Sequence, residues 1–270
     1  MKIDLSIIIV NYNGLKYLKE CFESLQKNLV GISYEIVFID NNSKDESCAY
    51  IKKNLPEIKL IESKINHGFG KGNNEAVKVA KGEYLLLLNN DTIVLNQLKP
   101  ALDFLKSDET IGVVGINMRN PKNEYIPAAG NFPNYRNMFQ IKKTFDLGIE
   151  FKTGVFSKEH YEVNWLGGSF MLLSKEVYIK IKGFDEDYFM YVEDVDFCKK
   201  IANFGLKRVF MPNINYIHFV GFNTNKNPML IKGYKIYINK HFFGFQKILI
   251  LIILQLNSFV KSIKLALKIN

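Results

Sequence analysis

The sequence predicts an α/β fold in which helices flank a doubly wound sheet. Residues 5–10 are apolar except for Ser6 and are rich in β-branched side chains, as in a central parallel strand that is covered on both faces. Apolar residues then recur at helical spacing from Leu15 to Leu29. The same strand-and-helix unit recurs as far as Leu88, and such alternation is typical of a doubly wound sheet. At 270 residues, with 47% apolar and 23% charged residues, the chain can bury the core that this fold needs.

Each element is predicted from the period of its apolar residues and from the breakers beside it. We predict strands at residues 5–10, 35–39, 59–62, 84–88 and 207–211, and helices at residues 15–29, 47–53 and 73–80. Gly167 and Gly168 precede a further apolar strand and a short helix, and a later helix begins near Glu193 and stops at Gly205. We therefore predict one domain at residues 1–225 and a helical tail at residues 226–270.

Composition argues against several classes of protein. Cys21, Cys48 and Cys198 are odd in number, far apart and without CxxC spacing, so neither a disulfide framework nor a zinc cluster is indicated. The chain passes from MKID directly into its first strand, without the pattern of a secretory signal, and we expect a cytoplasmic location. The net charge of +9 fits nucleic acid, an anionic membrane surface or phosphorylated ligands, and charge alone does not choose among them.

The apolar run near the end of the chain has two open interpretations. Residues 248–254 are wholly apolar, but polar residues and glycine interrupt the wider stretch at 242–260, which falls short of the ~20 apolar residues of a spanning helix. Lysines alternate with apolar residues in this tail. The tail is either an amphipathic element on the anionic inner face of the cell membrane, or a helix that packs on the domain or on another subunit of a homo-oligomer.

Polar residues of one kind follow three of the predicted strands. Asn11 follows the first strand, Asp40 the second, and Asn89, Asn90 and Asp91 follow the strand that ends at Leu88. Asn and Asp often begin turns, and for one strand that explanation would be enough. In open α/β sheets, however, ligands bind beyond the carboxyl ends of the strands. Because three such ends converge on one edge, the sequence predicts a ligand site there.

The motifs of this edge indicate a phosphorylated ligand held without the usual nucleotide loops. The turn VNYNGLKYL contains neither GxGxxG nor GxxxxGK[ST], which argues against dinucleotide dehydrogenases and P-loop enzymes. Asp40 can accept hydrogen bonds from a base or ribose. The glycines of NHGFGKGNNEA, at positions 68, 70 and 72, lead into a helix predicted to start near Asn73, where phosphate or sugar could approach the backbone. Asp91 beside a diphosphate requires a divalent cation between them.

A cluster of six acids lies at residues 185–196 of this otherwise basic chain. The helix dipole explains acids in the first turn near Glu193 and Asp194, but it does not explain the acids at 185–187. A site that needs ionised carboxylates, such as a general base for a hydroxyl group, explains more. Gly167 and Gly168 allow a sugar or acceptor to approach the backbone, or they form a plain bend. Trp165 stacks on a sugar or belongs to the core, and His218 is a metal or phosphate contact or a structural residue.

The order of these motifs resembles glycosyltransferase family 2. The motifs are SIIIVNYNG, VFIDNNSKDES, NHGFGKGNNEA, LLLLNNDT, GGSFMLLSKE, GFDEDYFMYVEDVDFC and HFVG, and they span residues 4–222. The bacterial rhamnosyltransferase-like branch is the most similar. The resemblance implies the GT-A fold, a doubly wound mixed sheet flanked by helices, and a metal-dependent, inverting transfer of a sugar from a nucleotide donor.

The resemblance also implies roles for individual residues. Asp194 corresponds to the catalytic base, with Glu193 beside it at the acceptor. Asp91 corresponds to the metal-binding acid of the DXD element, whose first acid is replaced here by Asn89, and His218 is a second ligand for Mg²⁺ or Mn²⁺. The predicted donor-binding residues are Asn11, Asp40, Asn42, Asn66, Gly68, Asn74, Asn90 and Asp91. The predicted acceptor-binding residues are Trp165, Gly167, Gly168 and Glu193.

The function predicted from these features is transfer of a sugar, with rhamnose as the branch suggests, from a dTDP- or UDP-sugar. The expected acceptor is a hydroxyl of a glycan or of a lipid-linked acceptor in bacterial surface polysaccharide synthesis, and no nucleic acid is expected as a partner. Two alternatives are a nucleotidyltransferase and a non-catalytic sugar-binding partner. The absence of Lys and Arg from residues 10–15 opposes the first, and the presence of Asp40, Asp91 and Asp194 opposes the second.

Overall fold

A computed structural model describes residues 2–219 and 227–266 of the chain. The strands are β1 Leu5–Asn11, β2 Tyr34–Asp40, β3 Lys59–Glu62, β4 Tyr84–Asn89, β5 Thr92–Val94, β6 Ile111–Arg119, β7 Ala129–Gly130, β8 Tyr161–Glu162, β9 Trp165–Leu166, β10 Phe170–Ser174 and β11 Lys207–His218. The α-helices are α1 Leu15–Asn28, α2 Ser47–Asn54, α3 Gly68–Val77, α4 Lys99–Ser107, α5 Ile149–Thr153, α6 Lys175–Lys180, α7 Glu193–Asn203, α8 Asn227–His241 and α9 Gly244–Ala266, and a 3₁₀ helix spans Ile141–Phe145.

Nine of the strands in the described residues form one mixed sheet. Its order is β3-β2-β1-β4-β10-β6-β11-β5, with β8 paired to β11, and β7 pairs with β9 separately. Strands β1 to β4 are parallel to one another, whereas β10 runs antiparallel between β4 and β6. The predicted doubly wound mixed sheet is confirmed, and its parallel half carries the polar strand ends at one edge.

The sheet separates two apolar cores. Successive residues of β1 face opposite sides, so Ile8 packs in one core while Ile7 and Ile9 pack in the other. Helices α1 and α4 cover the second core, and helices α3, α6 and α7 cover the first. Burial on both faces explains why residues 5–10 are apolar except for Ser6, which is also buried and donates its hydroxyl hydrogen to Glu35 Oε1 at 2.6 Å.

The two last helices pack on the first core. Tyr237 and Ile238 of α8 and Ile250 and Leu254 of α9 are all buried in it. None of the helices in the described ranges is long and apolar enough to cross a membrane. The predicted boundary between residues 225 and 226 lies outside the described residues, as does the VG pair at 220–221 that completes the HFVG motif.

Two predicted boundaries are corrected by the structure. Helix α3 begins at Gly68, five residues before the predicted start at Asn73, because its three glycines pack inside the fold instead of forming an open loop. Strand β11 continues from Met211 to His218 across an irregularity in its pairing with β6. This extension carries His218 to the functional edge of the sheet.

Candidate active site

The ends of β1, β2 and β4 are joined by a hydrogen-bonded row of polar side chains. Asn11 lies opposite Asp40 in the parallel register. Its Nδ2 donates to Asp40 Oδ1 at 2.7 Å, and its Oδ1 accepts from Asn90 Nδ2 at 2.5 Å. The other oxygen of Asp40 accepts from the Ser43 amide at 2.8 Å. The predicted convergence of three strand ends is therefore confirmed, and the row fixes Asp40 in one orientation.

The loop after β1 has room for this row only because residue 14 is glycine. A Cβ on Gly14 would lie 1.9 Å from Asn90 Nδ2 and 2.4 Å from Asn11 Oδ1. Asn42, in the loop after β2, has a left-handed backbone, and its Oδ1 accepts from Lys44 Nζ at 3.2 Å. Asn42 is half-buried next to this row, and its contact with a donor stays a prediction.

Asp91 and His218 lie together beside the row. Strand β11 pairs with β5 so that His218 is opposite Thr92, the residue after Asp91. His218 Nε2 lies 3.1 Å from Asp91 Oδ1 and 3.1 Å from Asn89 Nδ2. Both side chains of the pair are largely buried, with 10% of His218 and 16% of Asp91 exposed.

The chemistry of this pair fits a divalent cation that is shared with a ligand. One carboxylate oxygen and one imidazole nitrogen are suitable ligands for Mn²⁺, and the carboxylate suits Mg²⁺. The described part of the chain contains no cluster of three or more His, Cys, Asp or Glu side chains that could hold a metal. Asp91 and His218 would therefore need oxygen atoms from a bound diphosphate to complete the coordination.

A short backbone path joins this pair to the acids at the start of α7. The Asn89 amide donates to the Ser169 carbonyl at 3.1 Å, and the adjacent Gly168 amide donates to Asp194 Oδ2 at 3.0 Å. A Cβ on Gly168 would lie 3.0 Å from the ring of Phe69 and 3.5 Å from Asp194 Cβ, so a larger residue would crowd this link. The Asp91–His218 pair and Asp194 thus flank the same end of β10.

Burial changes the acidity of both acids. It raises the pKa of Asp194 above its ordinary value, although amides of Gly168 and Val195 partly offset the shift. Burial, and then the charge of Asp194, raise the pKa of Glu193 to about 8. Glu193 Oε2 is buried without a hydrogen-bond partner in the described residues. A carboxylate whose pKa is raised toward neutrality is a suitable general base.

The turn before these acids holds two residues in the left-handed region. Tyr191 has a φ of 72° and Val192 a φ of 74°, and this conformation is a genuine outlier for a β-branched residue such as valine. Such strain costs roughly 1–3 kcal/mol per residue and persists where surrounding structure enforces it. Here it ends the preceding loop abruptly and starts α7 with Glu193 and Asp194 in its first turn.

The comparison with protein families identifies the site. The family model for glycosyl transferase family 2 matches residues 6–177, which include every polar strand end of the parallel half and Gly168; Glu193, Asp194 and His218 follow the matched range. The chain belongs to glycosyltransferase family 2. It is a glycosyltransferase, and the resemblance noted from its motifs is confirmed.

Relatives of this glycosyltransferase include two rhamnosyltransferases. Rhamnosyltransferase WbbL of Escherichia coli K12 is 29% identical over 228 residues, which cover 79% of this chain and 82% of the relative. The N-acetylglucosaminyl-diphospho-decaprenol L-rhamnosyltransferase of Mycobacterium tuberculosis is 24% identical over 243 residues, covering 83% and 78%. The similarity to the rhamnosyltransferase-like branch is thereby confirmed.

Solved structures confirm the GT-A fold of the glycosyltransferase. The structure of GalNAc-T7 with UDP, GalNAc and Mn²⁺ has a TM-score of 0.67 at 19% identity and covers 88% of this chain and 48% of that one. The structure of Staphylococcus aureus TarS 1–349 in complex with UDP has a TM-score of 0.60 at 19% identity and covers 99% and 76%.

The six acids at 185–196 do not form one site in the glycosyltransferase. Asp196 is fully buried, and its Oδ1 lies 2.8 Å from Lys240 Nζ and 2.7 Å from His241 Nε2. Asp185 also pairs with Lys240, at 2.6 Å, and Glu186 pairs with a lysine of α3. Asp185, Asp196 and Glu186 therefore attach α8 and α3 to the loop, and the catalytic roles predicted for the cluster's other acids, Glu193 and Asp194, stay predictions.

Trp165 belongs to the core, which is the alternative that the sequence left open, and its acceptor contact stays a prediction. Only 5% of the residue is exposed, and its Nε1 donates to the Asn131 carbonyl at 2.9 Å. Phe145 packs edge-on against it at 5.1 Å. Strand β9 pairs with β7 and so turns the indole inward. Gly167 and Gly168 remain half-exposed at the edge, where their acceptor contacts stay predictions.

Two of the residues predicted for the donor pocket are structural. Gly68 is buried, and a Cβ there would lie 2.1 Å from the Phe189 carbonyl. Asn74 accepts from the Phe184 amide and the Tyr178 hydroxyl, and its Nδ2 donates to the Phe184 carbonyl at 3.0 Å. These bonds use Asn74 to fix the loop before α7. The donor contacts predicted for Asn74 and Gly68 gain no support from this packing and stay predictions.

Asn66 has a local partner in the same region. Its Oδ1 accepts from the Gly68 amide at 2.8 Å, and the next amide, of Phe69, donates to the Phe189 carbonyl at 3.1 Å. Two amides at the start of α3 are thus already bonded within the protein, which leaves this helix end less suited to an anion than its glycines indicated.

Proposed function

We propose that this glycosyltransferase catalyses inverting transfer of a sugar from a pyrimidine-nucleotide diphosphate donor to a hydroxyl group of a glycan or lipid-linked acceptor. Rhamnose is the sugar we propose first, because two of its relatives carry that activity in their names. We further propose that the product belongs to bacterial surface polysaccharide synthesis. The observation that carries the proposal is Asp194, a half-buried carboxylate with a raised pKa, bonded through Gly168 to the strand end beside Asp91 and His218.

Asp194 acts in this proposal as the general base. It accepts the proton of the acceptor hydroxyl while that oxygen bonds to the anomeric carbon and the bond from this carbon to the diphosphate breaks. A single displacement needs no covalent nucleophile and inverts the anomeric centre. The Gly168 amide holds the carboxylate at 3.0 Å and leaves its pKa raised, which favours proton transfer near neutral pH.

Glu193 is proposed to contact the acceptor. Its buried Oε2 has no hydrogen-bond partner in the described residues, and leaving such an atom unpaired costs about 1–3 kcal/mol. An acceptor hydroxyl would remove that cost. With a pKa raised to about 8, Glu193 is mainly protonated at neutral pH and would then donate a hydrogen bond.

The donor is proposed to lie along the polar row. Each oxygen of Asp40 already accepts one hydrogen bond and retains a lone pair for the N–H of a pyrimidine base. Asp91 and His218 would hold Mg²⁺ or Mn²⁺, which when bound neutralises charge on the leaving diphosphate. Asn11 and Asn90 orient Asp40 and the loop over it.

A ligand screen tests the donor class. Thermal melts would be recorded with UDP-, dTDP- and GDP-sugars, each with Mn²⁺ or with EDTA, because a ligand at 100 times its dissociation constant adds about 2.7 kcal/mol to stability. We expect a pyrimidine-nucleotide sugar to raise the Tm with Mn²⁺ and to do so less with EDTA. Stabilisation by GDP-sugars alone would contradict the pyrimidine assignment, and no stabilisation by any nucleotide sugar would contradict the proposed donor site.

A further inference from the structure

Helix α9 presents an apolar stripe to solvent on the side opposite its packed face. Ile250 and Leu254 are fully buried against the domain, whereas Ile248 is 57% exposed, Ile252 53% and Phe259 62%. The exposed apolar residues of the stripe recur every three or four positions at Phe245, Ile248, Ile252, Leu256, Phe259 and Val260. This spacing makes one continuous face along the helix, and a continuous exposed apolar face marks an interaction surface.

An exposed aromatic and basic segment packs against the buried face of α9, opposite the stripe. Asn257 of α9 is buried, and its Nδ2 donates to the carbonyl oxygens of Met138, at 3.3 Å, and Phe139. These bonds fix the segment at residues 135–143 against the helix. Its exposed residues are Tyr135, Arg136, Phe139, Gln140, Lys142 and Lys143. The segment contains no acidic residue, so it adds exposed cations to the surface around α9.

The charge of the chain is concentrated in the same part of the sequence. Residues 197–270 contain twelve Lys and Arg and no Asp or Glu, whereas the net charge of the whole chain is +9. The preceding residues are therefore slightly acidic as a group. An apolar stripe in this cationic part of the chain complements an anionic surface. It does not complement a second copy of itself as well, because pairing two stripes would bring like charges together.

We propose that the stripe of α9 and the segment at 135–143 dock on the surface of an anionic lipid bilayer. The stripe inserts at the level of the acyl chains nearest the head groups, and the lysines and the arginine of the segment at 135–143 bind the head groups. Trp and Tyr favour this interfacial depth because they are amphipathic, and Tyr135 is placed to use it. This inference goes beyond the proposed function, and binding to vesicles is measured without sugar transfer.

Helix α8 connects the proposed docking surface rigidly to the acids of α7. A Cβ on Gly233 would lie 2.5 Å from the Tyr191 carbonyl, so α8 rests directly on the strained turn before Glu193. Lys240, at the end of α8, binds Asp196, the last residue of the acidic segment. Docking through α9 would consequently hold the start of α7 in a fixed orientation to the bilayer.

Vesicle flotation of the full-length protein tests this proposal. We expect the protein to float with vesicles of phosphatidylglycerol and phosphatidylcholine, and to float much less with phosphatidylcholine alone. The variant Ile248→Ser/Ile252→Ser removes two apolar residues from the stripe, and we expect its bound fraction on anionic vesicles to fall by about tenfold or more. The variant Lys142→Ala/Lys143→Ala should lose binding to anionic vesicles and gain none to neutral ones.

The matched control is Ile179→Ser, which removes an isoleucine that is 63% exposed on α6, away from the stripe. This variant should float like the wild type, and thermal melts should show that all variants fold. The proposal is overturned if the wild type fails to float with anionic vesicles or if the stripe variant floats equally well. It is also overturned if the wild type sediments as a dimer that the stripe variant converts to monomer while neither protein binds vesicles.

Discussion

The contact of Lys240 with two acids gives a prediction about stability. Lys240 Nζ lies 2.6 Å from Asp185 Oδ2 and 2.8 Å from Asp196 Oδ1, and Asp196 has no exposed surface. Replacing Lys240 with Met keeps the length of the apolar stem and removes the charge. The carboxylate of Asp196 then stays buried with His241 Nε2, at 2.7 Å, as its main partner.

The expected loss of stability follows from the burial of this network. Removing one partner of a buried ion pair costs about 3–5 kcal/mol, because the other charge is left uncompensated. Lys240 is 28% exposed and His241 remains beside Asp196, so we expect roughly half of this, about 2 kcal/mol. For a chain of this size each kcal/mol shifts the Tm by about 2–4 °C, so Lys240→Met should melt about 4–8 °C lower.

The effect should depend on pH in a defined direction. Burial raises the pKa of Asp196, but hydrogen bonds from His241 and Lys240 and their charges outweigh burial and hold the pKa below its ordinary value. A carboxyl with a lowered folded pKa stabilises the protein above its unfolded pKa of about 3.9, and this contribution is lost as the pH falls through the folded pKa. The gap in Tm between the wild type and Lys240→Met should therefore be full at pH 7 and shrink below about pH 4.

Thermal melts of both proteins across this pH range provide the assay. Lys235→Met is the matched control, because Lys235 lies on the same helix and is exposed. We expect the control to stay within about 0.5 kcal/mol of the wild type. If Lys240→Met melts at the temperature of Lys235→Met at pH 7, the network does not anchor α8 and the reasoning is refuted.

Three further predictions concern the site. Folding raises the pKa of Glu193 from 4.5 to about 8, so the unfolded chain loses this proton first and the stability of the wild type falls as the pH rises from 4.5 to 8. The Tm of Glu193→Gln relative to that of the wild type should therefore increase from pH 5 to pH 8. A Tm difference that stays constant over this range would contradict the argument. Gly14→Ala puts a Cβ 1.9 Å from Asn90 Nδ2, and titration calorimetry should show UDP binding weakened about tenfold, with unchanged affinity as the contrary result. Asp91→Asn should remove the EDTA-sensitive part of UDP binding, and His218→Ala should reduce it; EDTA sensitivity that survives both changes would refute the metal role.

The sequence predicts the parallel half of the fold well because its signals are local. Residues 5–11 combine a largely apolar strand with a polar end in one short segment, and parallel register then brings Asn11 and Asp40 together. The position of His218 depends on a partner 129 residues away, Asn89, and on the extension of β11 past Met211. No short window of the sequence contains that information, which is why the role of His218 stayed open.

The structure differs from the sequence-based expectations where tertiary packing decides between two roles that one residue type can have. Trp165 is apolar enough for a core or for a sugar, and only the pairing of β9 with β7 turns it inward. The glycines of α3 suit a phosphate loop or close helix packing, and Phe184 and Phe189 occupy the space beside them. Asp196 lies in the same acidic run as Glu193 and Asp194. Its structural role is not evident from the sequence, because its partner Lys240 belongs to a helix that is distant in sequence.

The replacement Asp194→Asn tests the proposed role of the base most directly. Asn keeps the size of the side chain and an oxygen that can accept from the Gly168 amide, but it cannot take a proton from the acceptor. We predict that sugar transfer falls by about 10²–10⁴-fold, while the Tm increase caused by UDP with Mn²⁺ is unchanged. The exposed Asp187, replaced by Asn, is the control and should retain activity. Transfer by Asp194→Asn within about tenfold of the wild type would contradict the assignment of Asp194 as the base.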